Sequence, residues 1–272
     1  MYLQYVLKSF LVLLLMGMLY LGSKAYKEAV LFEQHTQTLV SHQSIEEQAN
    51  RKLEKLATSI LGDLYTTTEV DLAPLKEKQQ HSMRKAKKYT LYFMGLLLLL
   101  MLSFFLLSLR AFTFFGALAS LITLVFGLIA PILMVTIHKE VEYLGDVVLS
   151  FESKGVMGSV IKLWESSDMV IAIVILLFSV IVPGLKVLSL LFISVFIENK
   201  FADKIVVFFK AIGKWSMVDV FIVAVFLVYL TSKDTDVSRA EVEVGLYFFL
   251  AYVIVSMIVS LTADKMLKQN KA

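Results

Sequence analysis

Six long apolar runs, separated by polar stretches, set the pattern of this chain: Leu3–Leu21, Tyr89–Leu109, Ala111–Ile137, Met169–Ile197, Ser216–Leu230 and Val244–Leu261. About 20 apolar residues cross a bilayer as a helix. The pattern therefore predicts an all-α polytopic membrane protein of about six transmembrane helices. The first run resembles the hydrophobic part of a signal peptide. It is long and has a poor small-residue cleavage pattern, so it reads as an uncleaved anchor. Arg110 alone separates the second run from the third, which makes those two helices antiparallel neighbours. Gly116, Gly127 and Ala130 allow close helix approach. Pro131, near the far end of the third run, is expected to kink it.

The polar stretches carry their own periodicities. Between Lys24 and Lys88, Ile45, Ala49, Leu53, Leu56, Ile60 and Leu64 recur at helical spacing. Asp71 then offers an N-cap, and Pro74 suits a first helical turn. The second helix should run without a break into the Tyr89 span. Residues 24–88 thus form a helical hairpin standing on two spans, read either as a self-packed spacer or as an extracytoplasmic sensor or docking arm. His138–Asp168 holds six carboxylates and three lysines. Val141, Tyr143, Val147, Leu149 and Phe151 give it a period of two, and Gly155–Trp164 reads as a short amphipathic helix. This predicts a small extracytoplasmic α/β cap. Glu198–Lys214 has an apolar face of Phe201, Ile205, Phe208, Phe209 and Ile212 among lysines, which suits a helix in the headgroup layer. Thr231–Glu243 reads as a short polar loop.

Composition agrees with the pattern and narrows the chemistry. The chain is 58% hydrophobic and 18% charged, against roughly 45–50% and 25% in soluble domains. A net charge of +3 gives no case for nucleic acid. No cysteine occurs, four histidines are scattered, and no phosphate-cradling glycine motif is present. No metal, cofactor or enzymatic activity is expected. Basic residues near span ends put the amino terminus, residues 198–214 and the carboxyl tail in the cytoplasm. Arg84, Lys85, Lys87 and Lys88 object, because they then lie outside, just before a span. Either the hairpin tolerates them or residues 1–110 run in a different sense.

Lys186 is the only formal charge in the 29 residues from Met169 to Ile197. A lysine near the bilayer centre costs roughly 2.5–3.5 kcal/mol on insertion scales. Pro183, one turn earlier, frees a backbone carbonyl in the same helix. Two costly features this close read as a site; the bland alternative is a snorkelling lysine beside a harmless kink.

Two segments carry a family resemblance. Ser179-Val-Ile-Val-Pro183-Gly-Leu-Lys186 fits an S-x-x-x-P-x-x-K span. Gly213-Lys214-Trp215-Ser216-Met217-Val218-Asp219-Val220-Phe221 is close to a G-[KR]-W-S-M-x-D-V-F signature. With Ala130-Pro131 and the stretch from Gly158 to Leu163, they make residues from about Ala111 to Lys265 resemble a paraquat-inducible protein A domain. The resemblance implies a four-span domain in the bacterial inner membrane, here residues 111–272 behind a two-span module of residues 1–110. Members work beside separate periplasmic proteins with MCE domains, whose tunnels carry lipids between the two membranes. The implied role is loading or extracting membrane lipid, with proton coupling through buried polar residues. Carried over by motif are Ser179, Lys186 and Asp219, with Ser256, Ser260 or Thr262 as additions. Typical members have two such domains, each behind a four-cysteine zinc ribbon. This chain has one domain and no cysteine, so zinc should be absent, and a homo-oligomer stays open.

Helix rise puts Lys186 about 16 Å from the inner end at Ile197, and Asp219 about 6 Å past Trp215 on a span running the other way. A water or a hydroxyl of Ser179 or Ser216 could close the gap. The expectation is a polar chain whose groups switch between charged and neutral states; the competing reading is a lock between two spans. Trp215 and Met217 read as interface anchor and packing residue rather than ligand contacts. Beside the lipid-transport reading stand two others. One is a scaffold or sensor that docks a partner through the 24–88 hairpin; the other is a stand-alone small-solute transporter.

Overall fold

A computed structural model describes residues 2–42, 72–141, 145–196 and 238–271. The first helix, α1 (Tyr2–His42), is unbroken over 41 residues. Its buried residues Leu11, Leu14, Met18, Ala25, Ala29, Phe32, Thr36 and Leu39 repeat at helical spacing and face α2 (Ala73–Leu102). The two pack antiparallel. Glu28 meets Lys85 at 3.9 Å, and Gln79 donates to Thr36 at 2.8 Å, so the register holds well beyond the apolar run. From Leu21 to His42 the helix rises a further distance of about 31 Å. The hairpin is therefore a tall stalk. Leu72 is the N-cap of α2, and Pro74 sits in its first turn as expected. The helix expected over Ile45–Leu64 and the Asp71 cap lie outside the described residues.

Two expected boundaries move. The connection after α2 is not Arg110 but residues 103–108, with a 3-10 turn at Ser103–Phe105 and Ser108 as N-cap of α3 (Leu109–Ile129). Nor is the third run one kinked helix to Ile137. It stops at Ile129, and Ala130 is extended, with φ −73° and ψ 149°, as steric clash with a following proline ring favours. The chain beyond Pro131 enters β1 (Leu133–Val141). This strand pairs antiparallel with β2 (Gly145–Lys154) and with β3 (Ser238–Val242), in the order β2-β1-β3. The cap was legible in its two-residue period; β3 was not, since Thr231–Glu243 read as a plain loop. Helix α4 (Val156–Glu165) follows. A turn closed by Asp168 N–H to Leu163 O, with Ser167 at φ 65°, ends it.

The central run is likewise not one regular helix. It divides into α5 (Met169–Leu176), a π-helical turn (Leu177–Ile181) and α6 (Val182–Val195). The last helix is α7 (Val244–Lys271). Five described helices are long and apolar enough to span a membrane. The expected Ser216–Leu230 span and the amphipathic segment Glu198–Lys214 lie outside the described residues. The protein is an all-α polytopic membrane protein with a small three-stranded cap. Helix α3 is its centre, with 67% of its apolar window buried, against 17% for the α5–α6 span. The core is continuous from α1 and α2 into the later helices through Met18, Phe93, Phe112, Phe248 and Val259. Phe93 meets the Phe248 ring edge-on at 4.8 Å between centroids.

Sidedness follows from these contacts. The far end of α1, the start of α2, the sheet and the start of α7 share one side, since α1 touches β2 and Ser153 hydrogen-bonds Glu33. The basic cluster 84–88 thus shares a side with the cap, and residues 1–110 run in the sense set by the later spans. On the opposite side Arg110 donates to Ser194 O and Val195 O at 2.9 and 2.8 Å. The residue that separates two apolar runs in the sequence thus caps the end of α6.

Candidate functional site

Pro183 has no N–H, so the α-helical bond it would give to Ser179 O cannot form. In hydrocarbon no water replaces it. The helix responds by widening: the Val182 N–H reaches back five residues to Leu177 O. Such π-helical turns recur at functional sites. Ser179 lies within this turn and is half-buried, whereas Pro183 is buried.

Helix α7 supplies the opposite wall. Tyr252 is fully buried and donates its hydroxyl to Pro183 O at 3.3 Å. One turn on, the Lys186 ammonium donates to Ser256 Oγ at 3.3 Å. Ser256, 1% exposed, donates its own hydroxyl to Val253 O at 3.0 Å. Positions 183 and 186 therefore meet 252 and 256, advancing in the same direction. Helices α6 and α7 are parallel neighbours joined by two polar rungs. Lys186 lies nine residues before Val195, about 14 Å from the inner end of α6. Its amine is half-buried at a depth where a charge is costly. Around the rungs pack Val187, Leu246, Phe249, Tyr252 and Val253, with Val180 of the π turn against them. This apolar collar lowers the local dielectric and strengthens each polar contact.

The structure brings together Pro183, Lys186 and Ser256, and sets Ser179 in the widened turn just outside them. Thr262 is buried on α7 but bonds its own helix at Ile258 O. Ser260 is half-buried, one turn beyond Ser256. Ser216, Asp219, Lys214, Trp215 and Met217 lie outside the described residues.

Sequence reasoning missed three features of this region. The first is Tyr252, whose signal was its position one turn before Ser256 on the same helix face. Thr113, Ser120 and Thr123 of α3 are the second: all are fully buried, and each donates to the carbonyl four residues earlier. They leave hydroxyl oxygens as acceptors inside the bundle. The third is Glu243, only 2% exposed at the start of α7, with its N–H on Ile132 O at 2.9 Å. An acid just ahead of a helix meets the positive end of the helix dipole, which was the available signal.

The outer end of the site is fixed by close packing. Gly245 N–H bonds Pro131 O at 2.8 Å, and a side chain at Gly245 would put its first carbon 2.5 Å from Ala130 O. A side chain at Gly155 would put its first carbon 2.7 Å from the same carbonyl. Only glycine lets α7 and α4 lie against the Ala130–Pro131 elbow. No curated protein and no solved structure matches the chain. A model of the family described as paraquat-inducible protein A matches residues 111–270, which takes in the elbow, the cap, the widened turn and both polar rungs. The match spans more than half of the chain, and the protein belongs to the paraquat-inducible protein A family.

Proposed function

We propose that the protein is a bacterial inner-membrane subunit of an MCE-type intermembrane lipid-transport system, which loads or extracts lipid beside a separate periplasmic MCE-domain protein. Family membership supports the system. The observation that carries the mechanism is a lysine in the hydrocarbon zone hydrogen-bonded to Ser256 beside a helix broken at Pro183. Broken helices with polar groups near the midplane are a recurrent solution in transporters, where irregular backbone lines a cavity. In this reading Lys186 changes its protonation as the site opens and closes. Solvation loss favours the neutral amine, and a nearby acid, the role the motif assigns to Asp219, favours the ammonium. Ser179, Ser216, Ser256, Ser260 and Thr262 are the hydroxyls available to relay the proton. The protein acts without chemistry on the lipid itself.

The test is transfer of fluorescent phospholipid between vesicles that carry this protein and the co-purified MCE partner. Lys186→Met should leave the melting temperature in detergent within a few degrees and lower transfer by about tenfold or more, the usual scale for losing a general acid–base group being about 100-fold. Unchanged transfer in a folded variant makes Lys186 a lock between spans and overturns the relay. A second reading has its own support: the α1–α2 stalk rises far beyond the bilayer, as a docking arm would. Deleting residues 39–76 with a short linker, which keeps Glu33 and Gln37, should abolish partner capture and spare lipid transfer if the upper stalk only docks.

A further inference from the structure

The outer rim holds a second polar feature, separate from the Lys186 rungs. A groove of about 530 Å³ opens where α1, the end of α3, the cap and α4 converge. Glu33 and Gln37 of α1 form one wall, Ser153 and Lys162 the other, and Ile129 and Pro131 form its floor. Its size falls in the range of small-molecule sites, about 300–1,000 Å³.

The position says what reaches it. From Ala111 to Ile129 helix α3 carries no charged residue, a stretch of about 28 Å, close to the hydrocarbon thickness. Ile129 ends it, so the groove begins where acyl chains give way to headgroups. The charges say which headgroup. One acid and one base line the groove, and Ser153 donates to the Glu33 carboxylate and orients it. Burial pushes the Glu33 carboxyl up from its ordinary range, with the Ser153 bond opposing; a bound cation would hold it ionised. An anionic headgroup without an amine would meet the Glu33 charge. A trimethylammonium has no N–H for a carboxylate or amide to accept, and calls for an aromatic cage instead.

We propose that this groove holds the headgroup of a zwitterionic aminophospholipid, its primary ammonium at Glu33 and Gln37 and its phosphate at Lys162. The family match starts at residue 111, so Glu33 comes from the helix pair ahead of the matched segment. That pair supplies half of a lipid site and selects which lipid waits at the rim. The inference rests on the lipid-handling reading above but is tested apart from it.

The full-length protein is placed in nanodiscs with equal phosphatidylethanolamine, phosphatidylglycerol and phosphatidylcholine, and retained lipid is read by native mass spectrometry. The wild type should keep one phosphatidylethanolamine and bind soluble glycerophosphoethanolamine saturably. Glu33→Gln and the surface change Lys162→Gln should each weaken both by about tenfold, the scale of one charged hydrogen bond. Gly158→Phe, at a position with open space beyond its α-carbon, should block the groove without touching either charge. Equal retention of the three lipids, preference for phosphatidylglycerol, or wild-type retention in all three variants overturns the proposal. Binding of the soluble headgroup in a protein that moves no lipid leaves the groove standing and removes the transport reading. Transfer without any headgroup binding does the reverse.

Discussion

Pro131 and Pro183 both lie in apolar runs, and the chain treats them in opposite ways. At Pro131 the helix simply ends. Ala130 turns extended, and the freed backbone passes into a strand whose partners are β2 and β3. At Pro183 there is no sheet to enter and no water to meet, so the backbone stays helical and opens by one residue. The carbonyl of Pro131 takes the Gly245 N–H, a backbone donor; that of Pro183 takes the Tyr252 hydroxyl, a side-chain donor. A proline at the rim is thus built into rigid structure. One at depth is held by a single replaceable side chain, next to the only charge in its run. The third proline, Pro74, in the first turn of α2, disturbs nothing, because the N–H it lacks has no intrahelical partner there.

Breaking the rigid side should have the largest effect. Gly245→Val forces a branched side chain against two carbonyls at 2.5 and 2.6 Å. It should destabilise the protein by about 3 kcal/mol, at the upper end for overpacking, read as a fall in detergent melting temperature. On the soft side, Tyr252→Phe removes the hydroxyl from Pro183 O and should cost about 1–2 kcal/mol. Its diagnostic readout is faster hydrogen exchange at residues 177–182 with Gly245 unaffected. Pro183→Ala restores the missing donor. It should raise stability by about 1 kcal/mol as the wide turn closes, while lipid transfer falls; a rise in both would separate the turn from the function. The smallest effect lies at the end of α4. Ser167→Gly relieves a left-handed backbone at φ 65° and should add no more than about 1 kcal/mol, with transfer unchanged.

The spans were legible because hydrocarbon admits little besides long apolar helices. Where the third one ends was not legible. Leu133, Met134, Val135 and Ile137 prolong the apolar run, and hydropathy alone does not separate a strand from a helix there. Strand β3 was hidden for another reason. Its five residues, Ser238–Val242, pair with residues of β1 more than 100 positions earlier, and strand formation depends on neighbours that local pattern does not contain. At the site, Lys186 and Pro183 stood out as costs that only a purpose or a partner offsets. Tyr252 did not, since an aromatic in an apolar run reads as packing until the fold sets a carbonyl opposite it. Glu33 was silent for the same reason: its groove partners come from the cap, some 120 residues away.

Because β1 is bonded on one edge to the strand that follows it and on the other to the strand that leads into α7, the outer ends of α3 and α7 are stitched into one plate. Neither can part from the other there without tearing a ladder of backbone bonds. At the opposite end, among the described residues, a guanidinium on two carbonyls joins α3 to α6, and Leu109, Ile193, Met266 and Leu267 pack together. The two faces of the bundle are thus joined by unlike means, a backbone ladder at one and side-chain contacts at the other, with the Lys186 rung between them.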